Sequence, residues 1–392
     1  MIFSDMIKRE LQKKCAELAK KYPVLTITGP RQSGKTTLAK MCFPRKPYIN
    51  LEEPDKRQAA IEDPRGFLNN FPDGVILDEI QRAPELPSYI QSIVDSSGKN
   101  GMFVLTGSQQ FEITHSISQS LAGRTAVIKL LPFSLKEIKS FCGKKSLNDL
   151  LLCGFYPRIY HENLDPHNFY LNYFDTYVQR DIRQLSQIDN LHVFEKFVRL
   201  LAGRTGQLLN YNNLGNDLGV SQPTVRKWVS LLEAGFVIYI LPPFHRNISK
   251  RLIKTPKVYF HDVGFLCFLL GIENTKQLKS HPLRGNIFEN FVIIEFLKSR
   301  FNQAKAGNLY FFRDRTGNEI DIVAEAGNSL IPVEIKSAQT WSKDFYKGID
   351  FFKDVFGNSV KKSFVIYGGN EKFTRSHTTF LPWKHLVSGR IF

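Results

Sequence analysis

The chain has 392 residues, 42% of them hydrophobic and 23% charged, with a net charge of +16 and a pI near 9.5. That length exceeds what one hydrophobic core serves, and the composition excludes a disordered or collagen-like chain. The basic excess favours polyanionic partners, nucleic acid or acidic membrane.

Residues 1–20 are expected to form one amphipathic helix; they lack the apolar stretch of a signal peptide. The longest apolar run, Val263–Ile272, is about half of what spans a bilayer. Five scattered cysteines, Cys15, Cys42, Cys142, Cys153 and Cys267, show no CxxC pairing and read as free thiols in a reducing compartment. These features together predict a cytoplasmic protein with no membrane partner.

From 22 to about 135, apolar strands alternate with helical stretches, which predicts a parallel sheet with crossover helices. The strands are Val24–Thr28, Tyr48–Leu51, Val75–Leu77, Phe103–Thr106 and Ala126–Leu130. After the first comes Gly29-Pro-Arg-Gln-Ser-Gly34-Lys35-Thr36, which opens a helix at Thr37. Glycines let backbone N–H groups turn inward around phosphates, and the helix N-terminus adds partial positive charge. Strand, loop and helix in this order are the context of a phosphate-binding P-loop for ATP. Gly29, Arg31, Gln32, Ser33, Gly34, Lys35, Thr36 and Thr37 are therefore expected against the nucleotide. Lys35 reaches the β- and γ-phosphates, and the Thr36 hydroxyl holds Mg²⁺.

The third strand ends in Asp78-Glu79. Asp78 is expected to hold the Mg²⁺, through water, and Glu79 to orient or activate the attacking water. The fourth strand ends in Leu105-Thr-Gly-Ser108, which places Ser108 or Thr106 near the γ-phosphate. Arg124, just before the fifth strand, is a candidate arginine finger; if it acts on a neighbouring subunit, the protein must form a homo-oligomer.

From about 136 to 200, aromatics at helical spacing (Phe169, Tyr170, Tyr173, Phe174, Tyr177) predict a helical lid or linker. At 201–248 two short helices flank Gly219, Ser221 caps the second, and an apolar strand, Phe236–Leu241, follows. Arg226 and Lys227 point away from the apolar face of Val225, Trp228, Leu231 and Leu232. The spacing is that of a helix-turn-helix with a wing, a DNA-contacting or protein-contacting module.

Residues 249–392 return to mixed α/β. A helix, Leu283–Lys298, carries Glu289; Asn318-Glu-Ile-Asp321 and Glu334-Ile-Lys336 lie on two strands joined by a turn at Gly327-Asn328. Alternation puts Glu334 and Lys336 on one face, with Asp321 across the hairpin. Such carboxylates beside a lysine suit Mg²⁺-dependent attack on a phosphodiester. Asp321 and Glu334 would bind metal, Glu289 would add a ligand or an outer contact, and Lys336 would steer or stabilise the hydroxide or phosphate.

The chain resembles AAA-type P-loop ATPases that carry a C-terminal domain of unknown function, DUF4143. The matching segments include Leu77-Asp-Glu-Ile-Gln81, Leu121-Ala-Gly-Arg124, Leu131-Pro-Phe, Cys153-Gly-Phe-Tyr-Pro157, Tyr177-Val-Gln-Arg-Asp181, His261-Asp-Val-Gly264 and Gly285-Asn-Ile-Phe-Glu289-Asn. The family motif before Pro157 starts with two glycines, and here the first is Cys153. The C-terminal part resembles PD-(D/E)xK nucleases through Ile320-Asp321 and Glu334-Ile-Lys336. The resemblance implies ATP hydrolysis and a link to nucleic acid, with DNA the expected partner. The expected architecture is α/β: a P-loop NTPase parallel sheet (1–135), a helical lid (136–200), a winged-helix module (201–248) and a PD-(D/E)xK-like domain (249–392). An alternative is a nucleotide-dependent protein-interaction switch whose nuclease-like domain is catalytically dead.

Overall fold

The computed structural model describes residues 7–108, 120–140, 145–177, 190–244 and 254–388. Residues 1–6 of the expected N-terminal helix, Cys142 and positions 178–181 of the Tyr177–Asp181 motif lie outside them. The four cysteines within them are free thiols. No helix among the described residues is long and apolar enough to cross a membrane.

The first layer is a five-stranded sheet: β1 (Val24–Thr28), β2 (Tyr48–Asn50), β3 (Val75–Asp78), β4 (Phe103–Gly107) and β5 (Thr125–Lys129). Its order is β2-β3-β4-β1-β5, and every pair is parallel. Alternate side chains face opposite sides. Leu25, Ile27, Ile76 and Val104 pack beneath α1 (Gln12–Ala19) and α2 (Lys35–Cys42). Val24, Val75, Leu77, Phe103 and Leu105 pack on the other face, against α3 (Pro54–Glu62), α4 (Pro64–Asn69) and α5 (Leu86–Ser97). With both faces covered, the central strands are mostly apolar, and the buried Thr26 hydroxyl of β1 finds Thr125 Oγ1 at 3.0 Å.

The N-terminal helix is shorter than its sequence pattern suggests. It begins at Gln12, and Arg9, which precedes it, is buried. The Arg9 guanidinium finds its partners in the loop after β1 and in residues 131–137, and a helix continued through Arg9 would carry it off that course.

After β5 the chain turns helical: α6 (Leu135–Ile138), α7 (Leu147–Cys153), α8 (Pro157–His161), α9 (Pro166–Tyr173) and α10 (Leu191–Ala202). Phe194 and Phe197 on α10 receive Trp228, at ring separations of 5.5 and 5.3 Å. Each such buried aromatic contributes on the order of 2 kcal/mol through apolar burial. Trp228 lies on α12 (Gln222–Ala234), which follows α11 (Tyr211–Leu218) across Gly219, left-handed at φ +69°. Ser221 caps α12 by accepting from the Thr224 N–H. β6 (Ile238–Leu241) then pairs antiparallel with β7 (Lys257–Phe260). β7, which the sequence division places in the last domain, thus pairs with the strand that follows the two helices.

The remainder comprises α13 (Val263–Leu269), α14 (Thr275–Ser280), α15 (Arg284–Phe301), α16 (Lys347–Phe356) and six strands. These are β8 (Leu309–Arg313), β9 (Glu319–Ala326), β10 (Ser329–Lys336), β11 (Phe364–Tyr367), β12 (Phe373–Arg375) and β13 (Thr378–Pro382), in the mixed order β12-β13-β11-β10-β9-β8. α15 is buried nearly all round, so its sequence shows little helical amphipathy. One continuous core takes in Ile7 and runs on from Leu131 to Leu386 through the helices, the helix-turn-helix unit and one face of this sheet.

Two sequence motifs meet inside that core. Asp262 caps α13 by accepting from the Phe265 N–H at 3.0 Å; it also accepts from Tyr170 Oη at 2.6 Å and from the Phe155 N–H at 2.8 Å. Asp262→Ala removes the cap and strands the buried Phe155 N–H, while Tyr170 keeps the Cys153 carbonyl at 3.0 Å, which predicts a loss of about 2 kcal/mol of stability. Urea unfolding measures it; an unchanged midpoint would show that the network contributes nothing.

Candidate nucleotide site and a second charged cluster

Parallel pairing brings three strand ends together. Thr28 lies beside Gly107, and Asn50 beside Asp78. The loop after β1, the acidic pair after β3 and Ser108 after β4 therefore share one edge of the sheet. Open parallel sheets bind ligands at this carboxyl edge.

The loop's backbone needs its glycines. A Cβ on Gly29 would lie 2.1 Å from the Leu130 carbonyl oxygen, and Gly34 enters α2 at φ +91°. Lys35 is buried, and its Nζ donates to the carbonyls of Gly29 (3.0 Å) and Pro30 (2.8 Å). Burial pushes its ammonium down to about 8, while Glu79 and Asp78 pull it back up. Ser33 Oγ and Gln32 Oε1 are buried without a hydrogen-bond partner, polar atoms that suit a polar ligand in the loop. Arg31 is drawn outward to Glu52 at 3.0 Å. Thr37 occupies the first turn of α2.

Asp78 gathers hydroxyls. Its Oδ2 accepts from Thr36 Oγ1 at 2.7 Å and from Tyr48 Oη at 2.8 Å, and its Oδ1 from Thr106 Oγ1. Burial and the Asp78 carboxylate push the Tyr48 phenol up. Glu79 adopts φ +55°, a conformation uncommon outside glycine. Its Oε2 accepts from Ser108 Oγ at 3.1 Å and from Gln81 Nε2. Ser108 thus holds Glu79. Tyr48 and Gln81 were not anticipated; the adjacent Leu77-Asp-Glu-Ile-Gln81 string carried Gln81 in plain view.

Arg124 is not brought to this site within the chain. It precedes β5, whose Thr125 pairs with Val24, so it sits at the opposite end of the sheet, about 13 Å of strand away. There its guanidinium takes both oxygens of Asp95, at 2.5 and 2.8 Å.

In the C-terminal sheet, Asp321, Glu334 and Lys336 do meet. Lys336 Nζ is 2.6 Å from Glu334 Oε2 and 3.9 Å from Asp321 Oδ2, and Asp321 accepts the Ile335 N–H at 2.7 Å. Glu289 does not join them as a ligand. Its Oε1 accepts from Tyr259 Oη at 2.5 Å and from Lys257 Nζ at 3.2 Å, and Lys257 also pairs with Glu319. Among the described residues no three His, Cys, Asp or Glu side chains converge on a metal position. The expected metal set Glu289, Asp321 and Glu334 is corrected in one member: Lys336 pairs with Asp321 and Glu334, while Glu289 is turned to Lys257 and is not brought in as a third ligand. The residues present do not fit a metal-binding triad. Lys257 escaped sequence reading because it stands on β7, more than 60 positions before Asp321.

A further cavity of about 520 Å³ opens beside the helix-turn-helix, between Asn210, Tyr211, Gln222, Arg226 and Lys254. The Arg226 guanidinium lies 4.2 Å over the Tyr211 ring.

Burial, then the nearby Asp321 carboxylate, push the Glu334 carboxyl up to about 8 from its ordinary 4.5, against the pull of Lys336. The folded protein then holds a proton that the unfolded chain releases across this window, so this group's contribution to stability falls as pH rises from 4.5 to about 8. Urea midpoints across that range should decline more steeply for the wild type than for Glu334→Gln; parallel profiles would refute the assignment.

Comparison with known proteins places this geometry. The chain matches an AAA domain over residues 21–139, the domain of unknown function DUF8612 over 144–276 and DUF4143 over 284–386. The uncharacterized protein Rv2008c of Mycobacterium tuberculosis is 30% identical over 322 residues, which span 81% of this chain and 71% of that protein. The uncharacterized protein MJ1637 of Methanocaldococcus jannaschii is 21% identical over 435 residues, spanning 97% and 87%. Among solved structures, the Walker-type ATPase PABY2304 of Pyrococcus abyssi is similar at 15% identity and a TM-score of 0.44, covering 68% of this chain and 96% of that one. With its phosphate loop, its acidic strand end and a DUF4143 domain behind them, the chain belongs to the family of AAA-type P-loop ATPases with a C-terminal DUF4143 domain, together with Rv2008c.

Proposed function

We propose that the protein hydrolyses ATP with Mg²⁺ and couples the nucleotide cycle to DNA through its helix-turn-helix unit. The observation that carries the first part is the Thr36–Asp78 contact of 2.7 Å beside a Glu79 held by Ser108 and Gln81. A hydroxyl and a carboxylate in contact at the head of a phosphate loop fit a hard cation, so Thr36 and Asp78 would hold Mg²⁺. The ion would supply charge neutralisation at the β- and γ-phosphates. Lys35 exchanges the Gly29 and Pro30 carbonyls for phosphate oxygens. The backbone N–H groups around Gly34 bind the phosphate chain. Glu79 orients the attacking water and takes its proton. Arg124 lies too far from its own nucleotide to assist, and reaches one only on a neighbouring subunit of a homo-oligomer.

Lys35→Ala should lose ATP binding and turnover. Glu79→Gln should keep binding and lose turnover by about 10²–10³-fold, since it removes only the base. Isothermal titration and phosphate release separate the two; wild-type turnover by Lys35→Ala sinks the reading.

Support for a DNA partner comes from the net charge of +16 and from Arg226 and Lys227, exposed on α12 beside the cavity of Tyr211. Phosphate contacts make such binding fall steeply with salt. Arg226→Ala should weaken binding and flatten the salt dependence by about one unit of slope. The second reading, a nucleotide-dependent switch for a protein partner with an inactive nuclease-like domain, is favoured by the pairing of Glu289 with Lys257. No DNA binding with ATP, with ADP or without nucleotide would leave that reading alone.

A further inference from the structure

We propose that Arg9 is a positioning residue of the phosphate loop and the first link of a buried ion-pair relay that carries the loop's nucleotide state to α15. The proposal rests on the nucleotide-binding reading above. Arg9 stands outside every motif of the site, yet its side chain is 5% exposed and each of its three nitrogens donates a hydrogen bond. Its Nη1 donates to the Ser33 carbonyl at 2.7 Å, its Nη2 to the Leu131 carbonyl at 2.6 Å, and its Nε to Glu137 Oε1 at 3.0 Å. The guanidinium also lies 4.9 Å from the centre of the Phe133 ring.

The Ser33 carbonyl shares a peptide plane with the Gly34 N–H. In a trans peptide the two point in opposite directions. Drawing the carbonyl toward Arg9 therefore turns the Gly34 N–H the other way, toward the inside of the loop, where a phosphate would accept from it. Lys35 meanwhile holds the carbonyls of Gly29 and Pro30. A phosphate that takes Lys35 releases those two peptides, and the Ser33 peptide remains fixed to Arg9. Any resettling of the loop then acts on Arg9.

From Arg9 the links are continuous and buried. Glu137 accepts from Arg9, from the Glu10 N–H at 2.8 Å and from the Ser134 N–H at 2.8 Å. The next residue's amide, Leu135 N–H, donates to Glu295 Oε2 at 2.7 Å. Lys298 Nζ bonds Glu295 Oε1 at 2.9 Å and the Phe133 carbonyl at 2.8 Å, and lies 4.0 Å over the Phe155 ring. The side chains of Glu137, Glu295 and Lys298 are at most 4% exposed. Buried ion partners part only at high cost, so a displacement at one link is passed on rather than absorbed. Glu295 and Lys298 stand on α15, and about two turns earlier the same helix carries Glu289 of the second charged cluster.

The test uses the full chain, a fluorescent non-hydrolysable ATP analogue, and hydrogen exchange of residues 284–301 with and without it. In the wild type, the analogue should change exchange in α15 several-fold. Arg9→Lys keeps the charge but loses the forked arms; it should bind the analogue about ten-fold more weakly and lose the α15 response. Glu295→Gln keeps an acceptor for Leu135; it should bind with wild-type affinity and still lose the response. A merely structural role would shift melting temperature alone and leave the α15 response in both variants, which overturns the relay. Wild-type binding with no change in α15 overturns it as well. Absence of analogue binding by the wild type would overturn the nucleotide reading, and the relay with it.

Discussion

A strand buried on both faces carries few polar side chains along its length, so a parallel sheet collects its chemistry where strands end. β1, β3 and β4 obey this constraint, and their pairing makes three ends coincide. Lys35 and Thr36, Asp78 and Glu79, and Ser108 then meet although they are spread over about seventy positions of sequence. The hydroxyls of Thr36, Tyr48 and Thr106 on Asp78 are a consequence, since a carboxylate at a dry strand end needs donors.

The second charged cluster obeys the same electrostatics with a different outcome. Glu289, Glu319, Asp321 and Glu334 would repel one another in a buried site. Lys257 and Lys336 meet that repulsion with charges the chain itself supplies. Burial opposes the charge on each lysine, yet the surrounding carboxylates win and hold both ammonium groups above the usual lysine range. A divalent cation there would have to compete with tethered ones.

One continuous core joins the helices, the helix-turn-helix hairpin and one face of the C-terminal sheet into one packed body, and β7 belongs at once to that hairpin and, through Lys257, to the charged cluster. Arg9 then fastens the nucleotide loop to the start of that body. Polar groups buried across such a seam require defined partners, and each partner here is satisfied by one from the other side.

Local features of the chain determined the local elements. The strand–Gly-rich loop–helix pattern was legible at Gly29–Thr36, because glycine geometry and helix polarity are properties of contiguous residues. So were Asp78-Glu79, the cap at Ser221, and the turn at Gly327-Asn328, where Gly327 takes φ +59°. The two-residue alternation was enough to set Glu334 beside Lys336. What tertiary structure alone decided were pairings between distant segments. Arg9 leaves the helical pattern to reach Ser33, Leu131 and Glu137; Lys257 crosses to Glu289 and Glu319; Arg124 lands at the far end of the sheet, on Asp95. Such choices depend on which buried charge lacks a partner once the chain has packed, a quantity that no window of contiguous residues contains.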